Sequence, residues 1–183
     1  MLVERVADLI ARHAVVGWFQ GRAEIGPRAL GARSVLGNPT RRSNLVRINH
    51  LKGREVWRPL APSITEEAFS RYFDGPPAPR FMLVACRVRD DKVRRLRAVV
   101  HVDGSVRPQA VSKTTQPRYW RLLDALERRT GDPVLVNTSF NVAGEPIVNT
   151  PQEAIADLLS TDLDALAIGD HLVVKPGAGT TPP

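Results

Sequence analysis

The sequence predicts an α/β or α+β domain in which helices pack on a sheet, and three observations carry that expectation. Short apolar runs alternate with amphipathic segments of helical period along the whole chain. Hydrophobic residues make up 43% and charged residues 25%, the balance of a globular chain and not of a disordered one. At 183 residues the chain is long enough for one core and short for two. Residues 1–175 are therefore expected to form one domain. The Pro- and Gly-rich stretch 176–183 has nothing to build a core from and is expected to be a disordered tail.

Leu2, Val6, Leu9, Ile10 and Val15 fall on one face of an opening helix, with Glu4, Arg5, Asp8 and Arg12 between them. Residues 15–19 then read as a short buried strand. Ser43 is placed to cap a helix over 44–51, after which 52–59 turns strand-like or loop-like. Thr65, Glu66 and Glu67 cap a helix carrying Ala68, Phe69, Tyr72 and Phe73, which Asp74-Gly75-Pro76-Pro77 ends. Residues 81–88 read as a strand and the charge-rich 89–97 as a solvent loop.

A second strand over 98–102, the Asp103-Gly104 turn and the segment 105–111 suggest a hairpin. Tyr119, Trp120, Leu122, Leu123 and Leu126 repeat at helical period within 117–130, and 133–136 is a buried strand leading into Asn137-Thr138-Ser139-Phe140-Asn141. Thr150, Pro151 and Glu153 form a capping box for a helix to about residue 159. Strands over 163–168 and 171–174 complete the sheet.

Lys and Arg number 26 against 19 Asp and Glu, a net charge of +7, which favours an anionic partner over a merely solvated basic surface only if the charges are placed together. The single cysteine, Cys86, excludes a disulfide framework and a cysteine zinc site and reads as a core residue. His13, His50, His101 and His171 show no i, i+4 pair and no adjacent carboxylates, so no metal site made by protein ligands alone is expected. No apolar run approaches the ~20 residues of a membrane span. Met1 is followed by charged residues and not by a signal peptide's apolar centre, so no membrane association and a cytoplasmic location are expected.

Four polar segments follow apolar runs: 22–33, 52–58, 101–109 and 137–145. Neither a P-loop nor a G-x-G-x-x-G fingerprint occurs, so any nucleotide is held by other means. If 52–58 is extended, Lys52, Arg54 and Arg58 project from one side, either as a solvated face or as a row for polyanionic phosphate. The hydroxyls and amides of 137–141 are either a turn cap or a cluster that meets an acyl or phosphate oxygen. His101 and Arg107 read in isolation as a satisfied strand histidine and a surface arginine.

The stretches GRAEIGPRALGARS (21–34), KGREVWRPLAPS, HVDGSVRPQAV and TGDPVLVNTSFNVAGEPIVNTPQEA occur in this order. In this the chain resembles, from about residue 15 to 175, the C-terminal domain of carbamoyltransferases of the nodulation and antibiotic type (NodU, CmcH and TobZ-like). The resemblance implies a YrdC-like fold, a twisted mixed sheet with helices packed on it and a basic concave cleft. It implies ATP and carbamoyl phosphate as ligands, an enzyme-bound carbamoyl-adenylate, and Mg2+ held mainly by phosphates. By the matching motifs Lys52, Arg58, Arg107 and Ser139 are the catalytic positions, and Arg28, Arg54 and Asn141 join them in binding nucleotide and carbamoyl phosphate. Lys52 and Arg58 are expected to hold phosphates, Arg28 and Arg107 to balance developing charge, and Ser139 with Asn141 to orient the carbamoyl group. Glu24 is expected to orient an arginine.

Family members carry a larger N-terminal domain of the actin-like ATPase type, where the carbamoyl group reaches a hydroxyl acceptor. Such a domain is the expected partner, in cis or in trans, and it would choose the acceptor. Leu60 and Ala143 depart from the family pattern at positions expected to touch no contact. A YrdC-like RNA-binding module and a catalytically silent interaction module are the alternatives. RNA is disfavoured because aromatics are 5% of the chain and Trp18, Trp57 and Trp120 lie in apolar patterns, away from surface arginines.

Overall fold

The computed structural model describes residues 2–178. In chain order the elements are α1 (Leu2–Ala11), β1 (Val16–Phe19), β2 (Arg33–Gly37), α2 (Arg42–Leu51), β3 (Ala61–Thr65), α3 (Phe69–Tyr72), β4 (Phe73–Asp74), β5 (Cys86–Val88), β6 (Ser105–Val106), β7 (Gln109–Val111), α4 (Pro117–Thr130), β8 (Val134–Ser139), α5 (Pro151–Ser160), β9 (Ala165–Ile168) and β10 (His171–Val174). Seven strands form one mixed sheet in the order β10-β9-β1-β2-β8-β3-β7, and β4-β5-β6 form a small antiparallel one. β1 runs parallel to β9 and β3 parallel to β7, while β2 and β8 join the two halves by antiparallel pairing.

Apart from its exposed edge strand β10, the large sheet is buried on both faces, so its residues alternate between two cores and not between core and water. Val16, Trp18, Leu36, Leu135, Ala165 and Ala167 point into one cluster, closed by α1 and α4. Val35, Val134, Val136 and Leu166 point the other way, into a cluster shared with Phe69, Tyr72, Phe73 and Cys86. The helix ends follow their sequence cues. Thr150 Oγ1 accepts from the Glu153 N–H while Glu153 accepts from the Thr150 N–H, and Gly131 takes the left-handed conformation after α4.

Several expectations are corrected. β2 and β3 do not read as strands because Arg33 and Ser34 interrupt one and Pro62 the other, yet both lie in the sheet interior. Residues 98–102 form a turn and not a strand: the Leu96 carbonyl accepts from the N–H of Val99 and of Val100. The hairpin with 105–111 is therefore absent. β6 pairs with β5 in the small sheet, β7 pairs with β3 in the large one, and Arg107 sits where the chain crosses between them. The strand over 81–88 shrinks to β5, since Met82 has positive φ while Phe81 and Leu83 face solvent. α2 starts at Arg42 without a side-chain cap, so Ser43 lies inside it, and Thr65 makes no capping bond. Of the expected tail, 176–178 form a turn and 179–183 lie outside the described residues.

Gly31 sits at φ +102, and a Cβ there would collide with the ring of Tyr119 in α4. Gly31→Ala is therefore expected to cost about 2–4 kcal/mol, from a strained backbone plus overpacking, read as a lower urea midpoint at unchanged m-value.

Candidate functional site

The end of α2 and the exit of β8 meet at Lys52. This side chain is only 6% exposed. Its Nζ donates to Ser139 O at 2.6 Å, Asn141 Oδ1 at 2.8 Å and Asn141 O at 2.9 Å, with Ser139 Oγ at 3.2 Å. The three protons of the ammonium are thus matched to oxygens of the protein itself. Asn141 is fixed at both ends of its amide, Nδ2 donating to the carbonyls of Val142 and Glu145 while Oδ1 faces Lys52 and accepts from Ser139 Oγ at 2.7 Å. Burial pulls the Lys52 ammonium down to about 7, the Arg54 guanidinium adds to the effect, and the Asp157 carboxylate opposes it.

The row of cations expected on one face of a strand is built differently. Gly53 has positive φ, the chain reverses after α2, and residues 53–58 run as turns, with the Arg54 N–H on Asn49 O and the Arg58 N–H on Glu55 O. Lys52 points inward beneath Ser139, its Nζ bonded to Ser139 and Asn141 oxygens. Arg54 is anchored through Nε to Asn49 Oδ1 at 2.7 Å, and Arg58 stands half exposed beside Glu55. Lys52, Arg54, Arg58, Ser139 and Asn141 nevertheless line one open cleft of about 580 Å3. Arg28, Arg54, Arg107 and Ser139 line a smaller cavity of about 130 Å3 beside it. Arg54 and Ser139 belong to both, so the two hollows bring together all seven of the expected residues. Ala143 and Leu60, expected to touch no contact, line the larger and the smaller hollow respectively.

Three of the residues lining the small cavity carry buried polar atoms without hydrogen-bond partners. Arg28 Nε, Arg54 Nη2 and Asn137 Oδ1 are shielded from solvent and have no hydrogen-bond partner. A polar network missed by sequence reasoning holds them in place. Asn137 Nδ2 donates to Ala29 O, Ser63 Oγ and Gln109 Oε1, while Gln109 and Gln116 both donate to Leu30 O. The available signal was a polar residue inside each of three strands of the buried sheet: Ser63 in β3, Gln109 in β7 and Asn137 in β8.

The three arginines of 21–34 divide into different tasks. Arg33 is 5% exposed, donates to the carbonyls of Gln20, Gly21 and Ala32, and lies 3.5 Å over the Phe19 ring, so it is part of the scaffold. Arg28 faces the small cavity and Arg22 is exposed. Glu24 organises backbone in place of the arginine expected for it: Oε1 accepts from the N–H of Leu30 at 2.6 Å and Ala32 at 2.7 Å. His101 Nδ1 meets Ser105 Oγ, the satisfied histidine the sequence suggested. Trp57 departs from its expected apolar setting, being 74% exposed between Arg54 and Arg58.

The sequence profile described as Carbamoyltransferase C-terminus matches residues 7–175. The chain belongs to this carbamoyltransferase family. It is 48% identical over 178 residues to nodulation protein NolO of Bradyrhizobium diazoefficiens, covering 95% of this chain and 32% of that one. It is 38% identical to the 3'-hydroxymethylcephem-O-carbamoyltransferase of Amycolatopsis lactamdurans, covering 91% of this chain and 32% of that one. The chain therefore spans about a third of the length of these curated relatives. Among solved structures, full-length HypF in a phosphate- and nucleotide-bound form superposes with a TM-score of 0.67 at 18% identity, over 92% of this chain and 25% of that one. Sua5 of P. abyssi, complexed with L-threonine, gives 0.67 at 13% identity, over 91% and 46%. These likenesses establish the fold of this carbamoyltransferase domain as YrdC-like. Among the described residues no helix is long and apolar enough to cross a membrane.

The displaced Lys52 equilibrium has a measurable sign. Unfolded, the lysine keeps its proton to its ordinary 10.5, whereas the folded chain releases it near 7. Between these values the unfolded state binds more protons, so stability rises with pH. Relative to Lys52→Met, the unsubstituted chain is expected to gain up to about 1.4 kcal/mol per pH unit across this window, read by urea unfolding from pH 7 to 10.

Proposed function

We propose that this carbamoyltransferase domain binds ATP and carbamoyl phosphate in the two joined hollows and forms carbamoyl-adenylate. The part of the longer relatives that this chain does not span would pass the carbamoyl group to a hydroxyl acceptor. The observation that carries the reading is the pair of buried guanidinium nitrogens, Arg28 Nε and Arg54 Nη2, left without partners beside a cavity that Arg107 also lines. Buried donors left unsatisfied are costly, and an anion that fills the cavity recovers that cost.

The reaction balances as ATP, carbamoyl phosphate and water giving carbamoyl-adenylate, pyrophosphate and phosphate. Its central step drives a carbamate oxygen onto the α-phosphorus, two anions against each other, and expels pyrophosphate. In a partly dehydrated site the repulsion amounts to several kcal/mol, and fixed cations remove it without having to reorganise. The open cleft of about 580 Å3 has room for the nucleotide, with Arg58 and Arg54 on its phosphates. The small cavity of about 130 Å3 has room for an acyl phosphate and little more, with Arg28 and Arg107 around it. Lys52 acts at one remove, holding Ser139 and Asn141 in place while adding its charge to the floor of the cleft. Magnesium carried in on the phosphates would lower their charge further, with most of its coordination supplied by phosphate and water.

Incubation with ATP, Mg2+ and carbamoyl phosphate is expected to release pyrophosphate and yield carbamoyl-adenylate by mass. Arg28→Ala and Arg107→Ala are each expected to slow release about 10²–10³-fold, as for loss of one preorganised donor. Arg58→Ala is expected to raise the KM for ATP about 10–100-fold, as for one charge-assisted contact. Absence of the adenylate, or full activity in both Arg28→Ala and Arg107→Ala, would overturn the assignment.

A further inference from the structure

Helix α5 carries its polarity the wrong way round at one position. Ala154, Asp157 and Leu158 form its buried stripe at i, i+3 and i+4, while Ile155 and Leu159 face solvent. Asp157 is 5% exposed, and its Oδ2 is shielded from solvent without a hydrogen-bond partner. Ala154 and Leu158 pack into the core that also receives Leu51, the residue before Lys52, and Phe140, which stands between Ser139 and Asn141. A carboxylate in such a stripe is costly, and a local rule broken without local gain is the mark of a functional position. The charged groups that act on it are few. Burial lifts the Asp157 carboxyl above its ordinary range, Glu145 of the loop after β8 lifts it further, the Lys52 ammonium draws it back, and Glu153 of α5 lifts it again. Lys52 in turn meets Arg54 as a repelling charge and Asp157 as an attracting one.

Asp157 and Lys52 are thus opposite charges buried in one floor, and among the described residues no hydrogen bond or ion pair joins them. The separation has a use. A salt bridge would turn the ammonium away from Ser139 and Asn141, whereas a carboxylate set behind it stabilises the charge and leaves its protons on their oxygens. Those oxygens require the charged form, because a neutral amine keeps two protons and turns a lone pair toward one of three acceptors. We propose that Asp157 is a positioning residue that holds the charge on Lys52 from within the core and so keeps Ser139 and Asn141 in place at the exit of β8. It touches no ligand, and its bearing on catalysis rests on the proposed reaction in the cleft. Without the carboxylate, Lys52 sheds its proton at lower pH, and the site loses its shape from the alkaline side sooner.

Lys52, Lys92, Lys113 and Lys175 are the only lysines, so the carbon-13 resonance of Lys52 Cε can be followed in the ligand-free chain and assigned by its loss in Lys52→Met. In the unsubstituted chain it is expected to titrate at about 7. Asp157→Asn, which keeps the shape and removes the charge, is expected to lower that midpoint by about one pH unit, while Glu145→Gln leaves it in place. Coupling is mutual, so Lys52→Met is expected to raise the midpoint read at Asp157 Cγ, a measurement that stands even where thermal melting shows Asp157→Asn unfolded. The alkaline fall of pyrophosphate release is expected to begin about one pH unit earlier in Asp157→Asn than in the unsubstituted chain. A Lys52 midpoint unmoved in folded Asp157→Asn, or an Asp157 midpoint unmoved in Lys52→Met, overturns the inference, because a merely structural aspartate moves the melting temperature alone. Moved midpoints with no pyrophosphate release at any pH overturn the proposed reaction and leave the hold of Asp157 on Lys52 standing.

Discussion

Mutual repulsion of Arg54 with Lys52 on one side and Arg58 on the other is the constraint that the rest of the site satisfies. Like charges a few ångströms apart near a protein surface oppose one another by a few kcal/mol per pair, comparable with a domain's whole stability. The fold meets this in two ways. Lys52 is surrounded by oxygen dipoles from Ser139 and Asn141, and Arg54 is tied to the neutral Asn49, so neither is paired with a carboxylate that would cancel its field. Arg33, by contrast, is neutralised in effect by three carbonyls and an aromatic face and contributes to the scaffold alone. Arg28 and Arg54 keep buried guanidinium nitrogens without partners, as Arg33 does at Nε, whereas the Lys52 ammonium is matched to protein oxygens.

Holding those cations still requires an unusual sheet interior. β8 begins as an ordinary core strand, with Val134, Leu135 and Val136 fully buried, and then changes to Asn137, Thr138 and Ser139 without leaving the sheet. Asn137 sends its amide into the network with Ser63 and Gln109, and through Ala29 and Leu30 that network grips the loop carrying Arg28. Glu24 grips the same loop from its other side through backbone N–H groups. A loop rich in glycine thus gains a fixed shape from hydrogen bonds to rigid strands, the condition for electrostatic preorganisation.

What the sequence showed and what it concealed differ in kind. α1, α4, α5, β1, β9 and β10 were legible because an apolar period or a capping box is local information. β2 and β3 were concealed because Arg33 and Pro62 break the local pattern, and their place is set by neighbours distant in the chain. The turn at 98–102 was misread for the complementary reason, since an apolar run buried against Leu96 looks the same whether extended or coiled. Within the site, the residues that converge were legible through their motifs, but their directions were not. Lys52 points under the strand because Gly53 lets the chain reverse, a consequence of backbone geometry that side-chain spacing cannot reveal.

The two hollows meet only at Arg54 and Ser139, and that narrow junction shapes the proposed chemistry. Arg54 is held by its Nε, which leaves its outer nitrogens free to face either hollow, so one guanidinium can bridge anions seated on both sides. Ser139 Oγ gives its proton to Asn141 Oδ1 and accepts from Lys52 Nζ at 3.2 Å. On the proposed reading, this junction is where a carbamate oxygen would approach the α-phosphorus. On that reading the charge facing the ligands is spread over several arginines, whereas the orientation of the β8 side chains depends on single hydrogen bonds. Affinity in this cleft would, on the proposed reading, follow from the sum of its cations.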